Sequence, residues 1–217
     1  MAQVEGIFIS HEHSDHIAGL QQLLKRFDIP VYTKQGTWRE IQDKLVVPKN
    51  QLIELTKGSL TLGNLIVEPF AVSHDAADPI GINVFSGKDK ATVVTDTGII
   101  SDDILHRIDD STLLVLEANY DPHMLRFGPY QPFLKQRVAS DEGHLSNEMA
   151  AQALLMMKRP DFMQVILAHR SENNNNAVLV TQTIGKMLVD GGVRIGPEMK
   201  LQHGQPNEIV SMQSIKR

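Results

Sequence analysis

Residues 11 to 16 read His11-Glu12-His13-Ser14-Asp15-His16, which places four potential metal ligands within six positions. The apolar run at 4–9 just before it has the look of a buried strand. After it, Ile17, Leu20, Leu24 and Phe27 recur at helical spacing, with Ser14 as candidate N-cap and Pro30 beyond the end. The motif therefore sits in a strand-to-helix loop. In an extended loop His11 and His13 can turn toward one point, while Asp15 and His16 at the helix start address a second point nearby. That split suits two metals about 3.5–4 Å apart better than one. A chance solvated cluster explains three of the chain's nine histidines in six positions poorly.

Working outward, strands are expected at 31–33, 52–55, 60–62, 65–72, 113–116 and 164–168. A hairpin is expected from 80–86 and 91–95 around Gly87-Lys88-Asp89-Lys90. Helices are expected at 37–44, 102–108, in stretches from 123 to 137, at 147–158 and from about 175 to 189. Four more polar residues stand at or just past such elements. His74 follows strand 65–72, Asp96 ends strand 91–95, His169 ends strand 164–168, and His144 lies in Glu142-Gly143-His144-Leu145-Ser146-Asn147. Loops at strand carboxyl ends converge on one rim of a sheet, so ligands gather there. Singly each is weak: a lone strand-end histidine is usually just hydrogen-bonded, and Asp96-Thr97-Gly98 alone reads as a turn. Beside the first motif the balance reverses.

The bulk numbers set limits. A chain of 217 residues with 41% hydrophobic content can bury one sizeable core, so a single domain over 1–217 is expected. Strands first, then alternating helix and strand, indicate an α/β or mixed sheet with helices outside. A net charge of −5 excludes a global basic field, so a polyanion would need local cations or bound metal. The absence of cysteine excludes disulfides and thiolate sites and leaves imidazole and carboxylate as ligands. With no basic leader and no apolar run near the roughly 20 residues of a membrane span, a cytoplasmic protein without a membrane partner is expected. From Arg126 to Arg137, through Phe127, Tyr130, Phe133 and Lys135, three cations interleave with three aromatics and no acid. This pattern suits single-stranded nucleic acid, with Arg126, Tyr130, Lys135 and Arg137 as contacts. It equally suits an amphipathic helix with core aromatics and solvated cations.

In order, His11, His13, Asp15, His16, His74, Asp96 and His169 resemble the metal-binding series of the metallo-β-lactamase superfamily. Ser10 to His16, Val72-Ser73-His74-Asp75, Thr95-Asp96-Thr97-Gly98, Glu117-Ala118-Asn119, Gly143-His144-Leu145-Ser146-Asn147 and Ser171-Glu172-Asn173-Asn174 resemble the bacterial YycJ/WalJ group of metal-dependent nucleases. The resemblance implies an α/β fold in the form of an αββα sandwich. That group's N-terminal strands precede its histidine motif, and here only ten residues do, so an N-terminally incomplete sandwich is expected. The resemblance further implies two divalent ions, zinc or manganese. His11, His13 and His74 would hold one, Asp15, His16 and His169 the other, and Asp96 would bridge. A bridging water acidified to a pKa of about 7 would supply hydroxide. His144 would act as general acid, Asp15 would belong to the catalytic centre as well as to the ligands, and Glu12 would lie at the surface or behind the ligands. His106, His123 and His203 match nothing.

The implied activity is phosphodiester cleavage, as a DNA exonuclease working from 5′ ends. Other hydrolases on the same platform remain as rivals, acting on RNA, thioesters or lactams, as does an inactive metal-binding fragment. Against the thioesterase, His74 is followed by Asp75-Ala76-Ala77 rather than by a second Gly-His-Thr-type string.

Overall fold

Two sheets lie face to face in the computed structural model, which describes residues 4–56, 58–205 and 208–211. The smaller sheet is parallel, with order β1 (Ile7–Phe8), β2 (Val31–Thr33), β3 (Leu52–Glu54). The larger has seven strands, in the order β10 (Met199–His203), β9 (Met163–Ala168), β8 (Leu113–Glu117), β7 (Asp89–Val94), β6 (Ile80–Ser86), β5 (Leu65–Ala71), β4 (Leu60–Leu62). Strands β4 to β7 run antiparallel and β7 to β10 parallel. Connection length accounts for the change. Two-residue turns join β4 to β5 and β6 to β7, the second with Gly87 at φ +59 in its first position, and the loop at 72–79 joins β5 to β6 without a helix. Parallel neighbours need crossovers. These are supplied by α4 (Asp102–Ile108), by the series α5 (Pro122–Phe127), α6 (Pro132–Val138) and α7 (Asn147–Met156), and by α8 (Ala177–Asp190).

Three apolar clusters bind four layers. Val31 and Tyr32 are adjacent on β2 and so face opposite ways. Val31 packs with Ile9, Ile17, Leu20 and Ile41 beneath α1 (Ser14–Ile17), α2 (Leu20–Leu24) and α3 (Gln35–Ile41). Tyr32 packs with Leu55 and Ile80 between the sheets. On the far side Val94, Leu114, Leu116, Val165 and Leu167 meet Ile104, Ile108, Leu154 and Ile184 of the outer helices. The order is helix, sheet, sheet, helix.

Some elements differ from expectation. Strand 4–9 shortens to β1, and the first helix divides at Ala18-Gly19, where glycine weakens it. His13, not Ser14, occupies the N-cap without a side-chain cap bond, because its imidazole is turned to His74. The 123–137 stretch breaks at Gly128 into two helices, each with proline in its first turn. Strand β10 was not expected. It is an edge strand of mixed burial, with Met199 buried and the rest half-buried, so its apolar signal is thin.

Candidate metal centre

Five loops deliver the polar residues to one rim. The loop from β1 to α1 carries His11, His13, Asp15 and His16, those after β5, β7 and β9 carry His74, Asp96 and His169, and the turn between α6 and α7 carries His144. Asp96 and His169 leave their strands in the left-handed region, at φ +56 and +51. Such backbone costs a non-glycine residue roughly 1–2 kcal/mol and is a mark of over-determined functional positions. Gly98 and Gly143 let these loops close on one another. A Cβ on Gly98 would overlap the backbone of Ser140 and Asp141, and one on Gly143 the carbonyls of Arg137 and Val138.

Around this rim the imidazoles crowd together. The His11 ring centroid lies 4.1 Å from that of His16, 4.6 Å from that of His13 and 5.0 Å from that of His74. His74 Nε2 is 3.3 Å from His13 Nδ1, and its Nδ1 faces the Gly143 carbonyl at 3.1 Å. Asp96 is central: its Oδ2 lies 3.4 Å from His16 Nε2, and its Oδ1 lies 3.7 Å from His74 Nε2 and 3.3 Å from His169 Nε2. Asp15 Oδ2 stands 3.6 Å from both His16 and His169 Nε2.

At this rim two buried atoms, His11 Nε2 and Asp96 Oδ2, have no hydrogen-bond partner among the described residues, which is costly unless something else satisfies them. Burial first, then His16, His74 and His13, lowers the His11 pKa to about 3, leaving a neutral ring with a free lone pair. A divalent cation is what such a donor set fits. His11, His13 and His74 converge as one group, and Asp15, His16 and His169 as another. Asp96 also converges with His11 and His16, and with Glu117, His144 and His169.

Glu117, at the end of β8, is a site residue that sequence reasoning did not single out. It is fully buried, and its Oε1 accepts from His144 Nδ1 at 2.8 Å and His169 Nδ1 at 2.7 Å. Its Oε2 accepts from the backbone N–H of Leu145 and Thr97. Burial alone would raise its pKa, but the hydrogen bonds from His144 and His169 more than offset this and hold it at about 2. For His169 burial works in the opposite direction, downward, yet the Glu117 hydrogen bond and the charges of Glu117, Asp96 and Asp15 bring it up to about 9. Both rings therefore carry hydrogen on Nδ1 and present Nε2 outward. A signal existed in the sequence: a carboxylate ending the apolar strand Leu113 to Leu116, level with Asp96 and His169 on neighbouring strands.

The ligand cavity, of about 340 Å³, is lined by His13, Asp15, His74, Asp96, His144 and His169 with Arg137. A cleft of about 790 Å³ shares Asp15, Arg137, His144 and His169 with it and extends past Tyr130, Asn119 and Ser171. Arg126 and Lys135 are not among the cleft's lining residues: Lys135 Nζ donates to the Arg126 carbonyl at 2.9 Å, and the Arg126 guanidinium lies 5.3 Å from the centre of the Phe127 ring. Phe127 and Phe133 are 67% and 71% exposed, so these two rings are not core. Glu12 is buried rather than at the surface and accepts from the Ala77 N–H at 2.8 Å.

A family model described as "Beta-lactamase superfamily domain" matches residues 1–169. The chain is 35% identical over 214 residues to exodeoxyribonuclease YycJ of Bacillus anthracis, covering 98% of this chain and 81% of that one. It is 31% identical over 217 residues to exodeoxyribonuclease WalJ of Streptococcus pneumoniae, covering 98% and 80%. Among solved structures, the metallo-β-lactamase fold protein YhfI of Bacillus subtilis aligns with TM-score 0.67 at 16% identity, over 91% of this chain and 75% of that one. Zinc-bound PqqB of Methylobacterium extorquens aligns with TM-score 0.65 at 16% identity, over 92% and 68%. At these identities the structural likeness is one of fold.

Proposed function

Because the chain belongs to the beta-lactamase superfamily, we propose that it is a metal-dependent DNA exonuclease holding two divalent cations, zinc or manganese, and working from 5′ ends. One observation carries the reading: His144, braced by Glu117 beside Asp96 and His169, faces both the ligand cavity and the longer cleft. The exodeoxyribonuclease relatives support DNA as substrate, and the 5′ polarity rests on the resemblance to their group.

His11, His13 and His74 would hold one ion, Asp15, His16 and His169 the other, with Asp96 between them. When bound, the ions supply Lewis acidity and an acidified water at neutral pH. The protein's own contribution is orientation and proton delivery. Glu117 occupies Nδ1 of His144, so Nε2 is the atom that holds a proton for the leaving oxygen. Glu117 also fixes the His169 ring through Nδ1, in the manner of carboxylates that orient ligand histidines. Asp15, with a side chain 65% exposed, forms the open lip between cavity and cleft. Arg137 and Tyr130 line the cleft as strand contacts, and Arg126 on α5 and Lys135 on α6, outside that lining, would be further ones.

The test is a panel: metal-reconstituted protein with end-labelled duplex DNA, single-stranded DNA, RNA, a thioester and a chromogenic lactam. Mononucleotide release from the 5′ end of DNA is expected. Turnover of the thioester or lactam with DNA untouched would overturn the reading.

A further inference from the structure

Asp75 directly follows His74, and its carboxylate receives the Arg137 side chain in a two-pronged pair, from Nε and from Nη2, the latter at 3.0 Å. The backbone holds it as well, since Asp75 N donates to the Glu142 carbonyl at 3.1 Å. A guanidinium has five N–H donors in a fixed plane. Two are used on Asp75, and among the described residues none takes the other three. Arg137 lines both the ligand cavity and the longer cleft, so those donors stand where the two meet. Arg137 is also only seven residues before His144, whose N–H is tied to the Val138 carbonyl at 2.9 Å. An arginine half in solvent, with its side chain 51% exposed, would ordinarily lose rotamer freedom on gripping a phosphate. The carboxylate removes that loss beforehand.

Resting on the nuclease reading above, we propose that Asp75 is a positioning residue that presets Arg137 as a planar fork for a phosphate flanking the one being cleaved. A purely structural ion pair at this exposure contributes little to stability. A positioning pair instead makes the two residues non-additive in substrate use.

The experiment compares wild type, Arg137→Lys, Asp75→Asn and the double variant on two substrates, with metal content measured for each. One substrate is end-labelled DNA; the other is bis(p-nitrophenyl) phosphate, a phosphodiester with no flanking phosphate. Each single variant should raise KM for DNA about tenfold, and the double no more than either alone, as for residues that act through one shared interaction. Metal content should stay at the wild-type level in every variant, and the loss on the small diester should be several-fold smaller than the loss on DNA. Additive KM effects, or equal losses on both substrates, would overturn the inference, since Asp75 would then be acting on neighbouring His74 and His13. A wild type that hydrolyses the small diester but leaves DNA intact would overturn the nuclease reading and this inference together.

Discussion

His144 and His169 share one carboxylate oxygen of Glu117, and His11 is buried among other imidazoles, so three measurable consequences follow at the scale of single residues. His144→Ala should keep both metals and near-normal DNA binding yet cleave about 10²–10⁴ times more slowly. The deficit should shrink on a nitrophenyl diester, whose leaving oxygen needs little protonation; an unchanged rate on DNA removes the general-acid role. Glu117→Gln should combine that slowing with a metal affinity about 10–100-fold weaker, because the same side chain orients a ligand histidine. Isothermal titration of metal into the variant reads this directly, and wild-type affinity would assign Glu117 to His144 alone. The third consequence concerns pH in chelator-treated protein. His11 is depressed to about 3, so the unfolded chain binds its proton first, and stability falls as pH drops from 6.5 toward 3. His169 is raised to about 9, so its contribution is complete below 6.5 and lost as pH climbs through 9. The midpoint of thermal unfolding should therefore peak near pH 6.5, and a flat profile from 5 to 8 would contradict these assignments.

Among the elements, α5 and α6 form an arm joined to the body by Arg137 to Asp75 and by Asn173 Nδ2 donating to Tyr130 Oη at 3.4 Å. Its aromatics Phe127 and Phe133 face solvent, which suits rings available to unstacked bases. If a strand runs along this arm, neutralising Arg126, Lys135 and Arg137 together should weaken DNA binding at all sequences. It should also flatten the salt dependence, by roughly 0.7–0.9 in slope for each phosphate that is no longer neutralised. An unchanged slope would make the arm purely structural. The arm also marks the limit of what sequence reveals. Helical stretches were expected there, but whether the aromatics were core or surface depended on which face tertiary packing took. Strands β5, β6, β8 and β9 were legible because they are apolar runs bounded by turn residues or chemistry. Strand β10 was not, since an edge strand with one buried flank leaves little periodic trace.

For the whole molecule, the αββα order follows from residues such as Val31 and Tyr32, which send alternate side chains into different apolar layers. Packing the sheets in this way brings the ends of β5, β7, β8 and β9 and the loop after β1 to one rim. The His11 to His16 string and the strand-end positions of His74, Asp96 and His169 could be read in advance because loops at strand ends share a rim. Glu117 carries the same strand-end signal, but what it and Asp75 do was not legible, because their roles lie in distances to residues far along the chain, 27 positions to His144 and 62 to Arg137. The central claim is that this rim holds two divalent ions joined through Asp96, and elemental analysis of reconstituted protein tests it most directly. Wild type should carry two ions per chain at saturation, His169→Ala should chiefly lose one, and Asp96→Ala should bind both weakly. A wild-type protein that saturates at a single ion would contradict the account.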